Sequence, residues 1–255
     1  MLPPDWLVPD WPAPPTVRAA CSTRAGGVSA APYDGLNLGD HVGDAPAAVR
    51  GNRARLQAAL GARPVFLQQV HGTDCAALAA DTPDGLPADA AHTQARGVAC
   101  TIMVADCLPV LFTDRAGRHV AAAHAGWRGL AGGVLEAALA PFGPEATESG
   151  QVLAWLGPCI GPAAFEVGPE VKAAFEARHA HAAACFTPGR PGKWLADLPA
   201  LARLRLRARG VTAVHGNDGS APWCTVGNAS RFFSHRRDTH VLGASGRFAA
   251  CIWLA

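Results

Sequence analysis

The sequence predicts an α+β fold, one domain with central β-sheets flanked by helices. Three observations point there. Apolar runs of strand length alternate with stretches of helix length, and no linker separates them. Hydrophobic residues make up 49% of the 255 residues and charged residues 16%, a balance that builds a sizeable core and excludes a disordered chain. No segment repeats internally. The domain is expected to span residues 1–255, with residues 1–15, rich in proline and tryptophan, as an extended arm packed on the body.

The elements follow in chain order. Thr16 to Cys21 reads as a strand leading into a glycine turn at Gly26 and Gly27. Ala45 to Leu60 is a helical stretch stopped by Gly61. Val65 to Val70 is a short strand. Val98 to Val104 and Val110 to Thr113 are strands split by the corner Asp106-Cys107-Leu108-Pro109. Asp114 to Gly117 is a turn, so the second of these strands forms a hairpin with His119 to Ala123. Trp127 to Leu139 reads as one helix whose Gly129, Gly132 and Gly133 permit close packing. Val152 to Leu156 is a strand running into Gly157-Pro158-Cys159-Ile160-Gly161-Pro162. Pro169 to Ala180 and Asp197 to Arg209 read as helices, Val211 to His215 and Arg247 to Trp253 as strands. The proline- and glycine-rich segments 81–88 and 187–192 are loops.

Charge and targeting signals exclude several classes. The formal net charge is +2, with no basic run long enough to track phosphates, so a general nucleic-acid binder is not expected. Arginine outnumbers lysine twenty to two, which reads as a habit of composition. The most apolar stretch, Gly97 to Phe112, is cut by Asp106 and Pro109 and is too short to span a membrane. The N-terminus has neither a basic start nor a continuous apolar stretch, so no signal peptide is read and a cytoplasmic location is expected. Eight cysteines in that setting are expected to be free thiols or metal ligands. The sequence sets no oligomeric state.

Three polar residues follow strand-like runs and precede turn formers. His71 follows residues 65–70, Cys107 follows residues 100–106, and His124 follows residues 119–123. Neighbouring strands could bring their ends to one point. Two imidazoles and a thiolate suit a tetrahedral zinc ion with the fourth position open, which is the pattern of a catalytic site. The separations of 36 and 17 residues fit no zinc finger. Residue types alone leave alternatives open. A histidine after a strand also serves as a hydrogen-bonded core or loop residue. Cys75 and Cys100 are rival thiols, and Cys159, Cys224 and Cys251 read as small buried groups. Asp106 reads as a proton carrier beside the thiolate or as the cap of a turn.

Gln68-Gln69-Val70-His71-Gly72, Ala105-Asp106-Cys107-Leu108-Pro109-Val110 and Ala123-His124-Ala125-Gly126-Trp127-Arg128-Gly129 together resemble the YfiH family. Its members have been labelled laccase domain proteins, polyphenol oxidases and purine nucleoside phosphorylases. The resemblance extends to residues 22–29, 37–39, 157–162 and 165–168, and ends at residues 232–238 and Gly246-Arg247. It implies a sheet sandwich with helices outside and a catalytic zinc on His71, Cys107 and His124. It also implies phosphorolysis of adenosine, inosine and methylthioadenosine, and adenosine deamination at the same site. Two departures stand out: His235 where the family more often has tyrosine, and the segment Asp89 to Thr93, which lacks a second acidic residue upstream and an aliphatic residue near His92.

Phosphorolysis needs positive, fork-shaped donors for phosphate. The candidates are Arg24, Arg53, Arg128, Arg236, Arg237 and Arg247. Arg24 adjoins a glycine turn, and Arg128 lies near a helix start that favours anions. Arg236 and Arg237 could equally anchor the C-terminal strand. Trp127 and Phe233 could stack on a purine. Deamination would need an acid–base group for the leaving ammonia, and the familiar His-x-Glu with Pro-Cys-x-x-Cys signature is absent. A multicopper oxidase needs many His-x-His pairs. Only His179 and His181 form one, on a predicted helix, although a lone copper in the zinc site would allow weak phenol oxidation. A cysteine hydrolase acting on peptidoglycan precursors would use Cys107 as nucleophile with His71 or His124 as base. A purely structural zinc scaffold fits poorly with an open coordination position.

Overall fold

A computed structural model of the chain describes residues 2–255. Its strands are β1 (Val17–Cys21), β2 (Arg63–Phe66), β3 (Cys75–Ala77), β4 (Ala90–Thr93), β5 (Val98–Val104), β6 (Leu108–Asp114), β7 (Val120–Ala125), β8 (Val152–Leu156), β9 (Glu166–Val167), β10 (Phe186–Pro188), β11 (Trp194–Ala196), β12 (Ala213–Gly216) and β13 (Phe248–Leu254). Its helices are α1 (Pro46–Leu60), α2 (Trp127–Gly132), α3 (Val134–Leu139), α4 (Pro144–Glu148), α5 (Pro169–Glu176), α6 (Leu198–Ala208) and α7 (His235–Leu242). One sheet has the order β1-β13-β5-β2, a second the order β12-β8-β6-β7-β4-β3, and a small third the order β10-β11-β9.

The two larger sheets pack face to face because strand periodicity gives each strand two apolar faces. In β13, Phe248, Ala250, Ile252 and Leu254 enter the core between the sheets, while Ala249, Cys251 and Trp253 face outward against Leu56 and Leu60 of α1. In β6, Leu111 enters the inter-sheet core, while Leu108, Val110 and Phe112 face a second core closed by Leu130, Leu135 and Leu201. The result is four layers: α1, the four-stranded sheet, the six-stranded sheet, then α2, α3 and α6. Burial on both faces explains why these strands read as continuous apolar runs. Sandwich and flanking helices agree with the predicted fold.

Several boundaries differ. The stretch 127–139 is two helices, because Gly133 adopts φ +117° between α2 and α3. The strand expected to reach Val70 ends at Phe66, where the chain leaves the sheet. The helix from Pro169 stops at Glu176, so His179 precedes and His181 lies within a short 3-10 turn, not the expected helix. Helix α7, strands β3 and β4, and the β9–β11 sheet carried no clear sequence signal. In the N-terminal segment, Trp6 is buried and Leu7 pairs with Cys21. All eight cysteines are free. No helix among the described residues is long and apolar enough to cross a membrane.

Candidate metal centre

His71, Cys107 and His124 reach one place from three different elements. His124 lies in β7, in register with Pro109 of β6. Its neighbours Ala123 and Ala125 face the helical layer, so alternation turns the imidazole the other way. Cys107 sits where the chain crosses from β5 in one sheet to β6 in the other. His71 lies in the loop after β2, and Gln69 clips that loop to β5. The Gln69 amide donates to the Met103 carbonyl at 2.8 Å and accepts the Met103 N–H at 2.8 Å, imitating a strand partner. The three ligand atoms lie within 4.8 Å of one another. Cys107 Sγ is 3.9 Å from His71 Nε2, and the two imidazole centroids are 4.8 Å apart. Among the described residues no other group of three or more His, Cys, Asp or Glu side chains converges in this way.

The backbone around the ligands is strained. Among the described residues only His71, at φ +62°, and Asp106, at φ +86°, are non-glycine residues in the left-handed region. Each such conformation costs about 1–2 kcal/mol. Two buried carboxylates hold these bends. Asp89 accepts the N–H groups of Val70 at 3.1 Å, His71 at 2.9 Å and Gly72 at 2.6 Å, and also His124 Nδ1 at 2.8 Å. Asp106 accepts the Thr225 hydroxyl at 2.5 Å and the Arg236 N–H at 2.6 Å. Gly126 completes the cradle. A Cβ there would stand 2.9 Å from Cys107 Sγ and 3.1 Å from His71 Cδ2, so any side chain would intrude on the donors. Gly129, in α2, is needed for a similar reason: a Cβ there would meet the Gly72 carbonyl at 2.7 Å.

Charge is arranged to favour a thiolate. Burial pushes the Cys107 thiol up, but the charge and hydrogen bond of His124, followed by those of His71, outweigh it and bring the pKa to about 6. Burial lowers His124, while the Cys107 charge and the Asp89 hydrogen bond raise it to about 9. Asp89 is raised by burial, yet hydrogen bonds from His124, Gly72 and His71 hold it below its ordinary value. Both shifts run in one direction: in the metal-free protein they favour a thiolate–imidazolium pair over the neutral pair. Alkylation of Cys107 in metal-free protein is expected to rise through about pH 6 and be flat by pH 8, because the thiolate is the nucleophile. Mass-spectrometric alkylation rates across pH check this, and a midpoint at pH 8 or above would contradict it.

The three donors line a cavity of about 400 Å³. Arg128, Arg236 and Arg247 border it, and Trp127, Phe165 and Leu198 form an apolar wall. His41 and His235 also line it, and the His235 ring is steadied by Thr239 Oγ1 at 3.0 Å from Nδ1.

A family model described as multi-copper polyphenol oxidoreductase laccase matches residues 18–255. A curated relative from Escherichia coli, purine nucleoside phosphorylase YfiH, is 50% identical over 97% of this chain and 98% of its own length. The chain belongs to the YfiH family. A purine nucleoside phosphorylase of Pseudomonas aeruginosa is 55% identical over 98% of both chains. The crystal structure of a Neisseria meningitidis protein superposes with a TM-score of 0.89 at 49% identity, covering 98% of this chain and 99% of that one. YlmD from Geobacillus stearothermophilus superposes at 0.85 with 31% identity, over 94% and 92% of the two chains. The family's description speaks of several coppers, whereas the described residues of this member bring together one donor cluster.

Within this family member, tertiary structure sorts the candidate arginines. Arg24 lies away from the cavity, donating to the carbonyls of Asp34 at 3.4 Å and Ala229 at 3.0 Å, with its guanidinium 4.6 Å from the Phe233 ring centre. Arg53 is also outside, bonded to the Leu38 carbonyl at 3.0 Å and paired with Asp40 at 3.1 Å. Arg237 is an anchor, held by Asp238 and by the carbonyls of Thr225 and Phe232. Phe233 is wholly buried between the sheets and cannot stack on a ligand, whereas Trp127 can. Cys100 is buried within β5, and burial pushes Cys75 up to about 11, so neither rivals Cys107 as a thiolate. Cys159 and Cys251 are buried as expected. Cys224 is only half-buried, and its Sγ accepts the Gly161 N–H at 3.2 Å. Sequence reasoning missed Asp89 as a partner of the ligands and Gln69 as the clip. An acidic residue entering a short strand and a glutamine in a loop carry no periodic signal.

Proposed function

We propose that this protein is a cytoplasmic purine nucleoside phosphorylase. It holds zinc on His71, Cys107 and His124, cleaves adenosine, inosine and methylthioadenosine with phosphate, and deaminates adenosine in the same cavity. The observation that carries the reading is one cavity lined together by the donor trio, three arginines and an apolar wall. The names of relatives 50% and 55% identical support the phosphorylase part of this reading.

The donor set fits zinc: two imidazoles and a thiolate, with Gly126 leaving the space between them open. Copper would fit these donors as well, since copper binds such sites more tightly than zinc. When bound, zinc supplies Lewis-acid polarisation and a lowered pKa for water. The remaining work falls to the chain. As the purine leaves, the ribose carbon becomes cation-like and phosphate must be held in line with it. Arg247, Arg236 and Arg128 supply donors for its oxygens. Trp127 and Phe165 offer flat apolar surface to the base. Both oxygens of Asp106 are taken by Thr225 and Arg236, so we assign it to holding the start of α7 beside the thiolate and not to carrying protons.

The hydrolase reading uses the same residues, because a low-pKa thiolate beside an imidazolium is also a nucleophile. Product analysis separates the two. Zinc-loaded protein incubated with adenosine should yield adenine and ribose 1-phosphate only when phosphate is present, and inosine with or without it. Adenosine left untouched by zinc-loaded protein would remove the nucleoside reading and bring the hydrolase forward.

A further inference from the structure

We infer that Asp89 is the positioning residue of the metal centre, one carboxylate that sets two of the three ligands at once. The inference rests on the metal reading of His71, Cys107 and His124 and is independent of the substrate. Asp89 is fully buried at the entrance to β4, and its two oxygens divide the work. Oδ1 accepts His124 Nδ1 at 2.8 Å and the His71 N–H at 2.9 Å. Oδ2 accepts the Val70 N–H at 3.1 Å and the Gly72 N–H at 2.6 Å. The Asp89 carbonyl also accepts the His124 N–H at 2.7 Å.

Each bond has a consequence for a ligand. A proton held on His124 Nδ1 by a carboxylate leaves Nε2 as the free donor atom and fixes the plane of the ring. Three backbone N–H groups gathered on one carboxylate keep residues 70–72 in a tight bend, and that bend carries the left-handed φ of His71. Without the carboxylate these amides lose the acceptor that gathers them, and the His71 imidazole loses its fixed approach toward Cys107. The third ligand is placed without Asp89, by the crossover between the sheets and the bend at Asp106.

The test is Asp89→Asn. Asparagine keeps the shape but replaces one acceptor oxygen with an NH2 group. In either amide orientation two of the four donors then face another donor. The zinc dissociation constant, measured by competition with a chromophoric chelator, is expected to weaken by about 10–100-fold. The cobalt(II)-loaded variant is expected to show shifted d–d bands, which a general loss of stability would not produce. A folded Asp89→Asn protein that binds zinc within about threefold of wild type, with an unchanged cobalt spectrum, would overturn the inference. If the variant does not fold, nitrogen-15 NMR of zinc-loaded wild type decides. A protonated Nδ1 with a strongly downfield proton on His124 supports the assignment, and an unprotonated Nδ1 refutes it. Wild-type protein that binds no zinc would take down the metal reading itself. Zinc binding without turnover of adenosine would leave this inference standing and remove only the nucleoside reading.

Discussion

Cys107→Ala is expected to lose zinc together with phosphorolysis and deamination while remaining folded. The thiolate is the one anionic donor of the trio, and without it two imidazoles remain. The loss in metal affinity should exceed the ~100-fold cost of removing a hydrogen-bond partner of a ligand, because a bond to the metal itself is gone. Folding should change little. Cys107 is half-buried at the sheet crossover, and trimming one such side chain costs about 1 kcal/mol. Metal content, far-ultraviolet circular dichroism and product formation from adenosine measure metal binding, folding and turnover separately. Turnover retained by metal-free Cys107→Ala would overturn the zinc mechanism. Turnover lost while zinc stays bound would point to the thiolate as a nucleophile.

Arg247→Met should act on phosphate and leave the metal alone. Arg247 follows Gly246, ahead of β13, and one end of its guanidinium donates to the carbonyls of Ser245 at 2.9 Å and Gly246 at 3.0 Å. Burial disfavours its charge, with relief from Cys107 and Asp106, so an arriving anion meets a desolvated cation. Losing a charge-assisted hydrogen bond costs about 1.5–3 kcal/mol, which corresponds to a rise in the KM for phosphate of roughly 10–100-fold. The KM for the nucleoside and the zinc content should stay near wild type. Arg24→Met is the control, and it should change neither constant because Arg24 is tied to Asp34 and Ala229 outside the cavity. Steady-state kinetics with each substrate varied in turn reads all of this. A phosphate KM within threefold of wild type would move the anion site to Arg128 or Arg236.

The elements that the sequence marked best are those with apolar runs of strand length. Residues 98–104, 110–113 and 152–156 were legible because both faces of those strands are buried and their composition admits little else, while the reach of β6 to Leu108 and Asp114 was not. Helix α7 was hidden, since its short sequence HRRDTHVL is mostly polar. The break at Gly133 was also hidden, since a glycine inside a helical pattern reads as packing until its φ is known.

The site divides in the same way. Residue type and an expected position after a strand were enough to nominate His71, Cys107 and His124, because few side chains can hold zinc, although His124 proves to lie within β7 and not beyond it. Whether they meet depends on β5 and β6 lying in different sheets, and on β7 pairing with β6 so that His124 stands opposite Pro109. Six arginines looked alike along the chain, and only the fold separated Arg128, Arg236 and Arg247, which line the cavity, from Arg24, Arg53 and Arg237, which do not. Asp89 shows the limit most clearly. Its four acceptor contacts come from the loop 70–72 and from β7, so its role exists only once strands β4 and β7 are paired. The sequence by itself determined which atoms could bind a metal and which runs could be buried. The tertiary structure decided which of them share a cavity, because convergence is a property of sheet order and register, and spacing along a chain does not encode either.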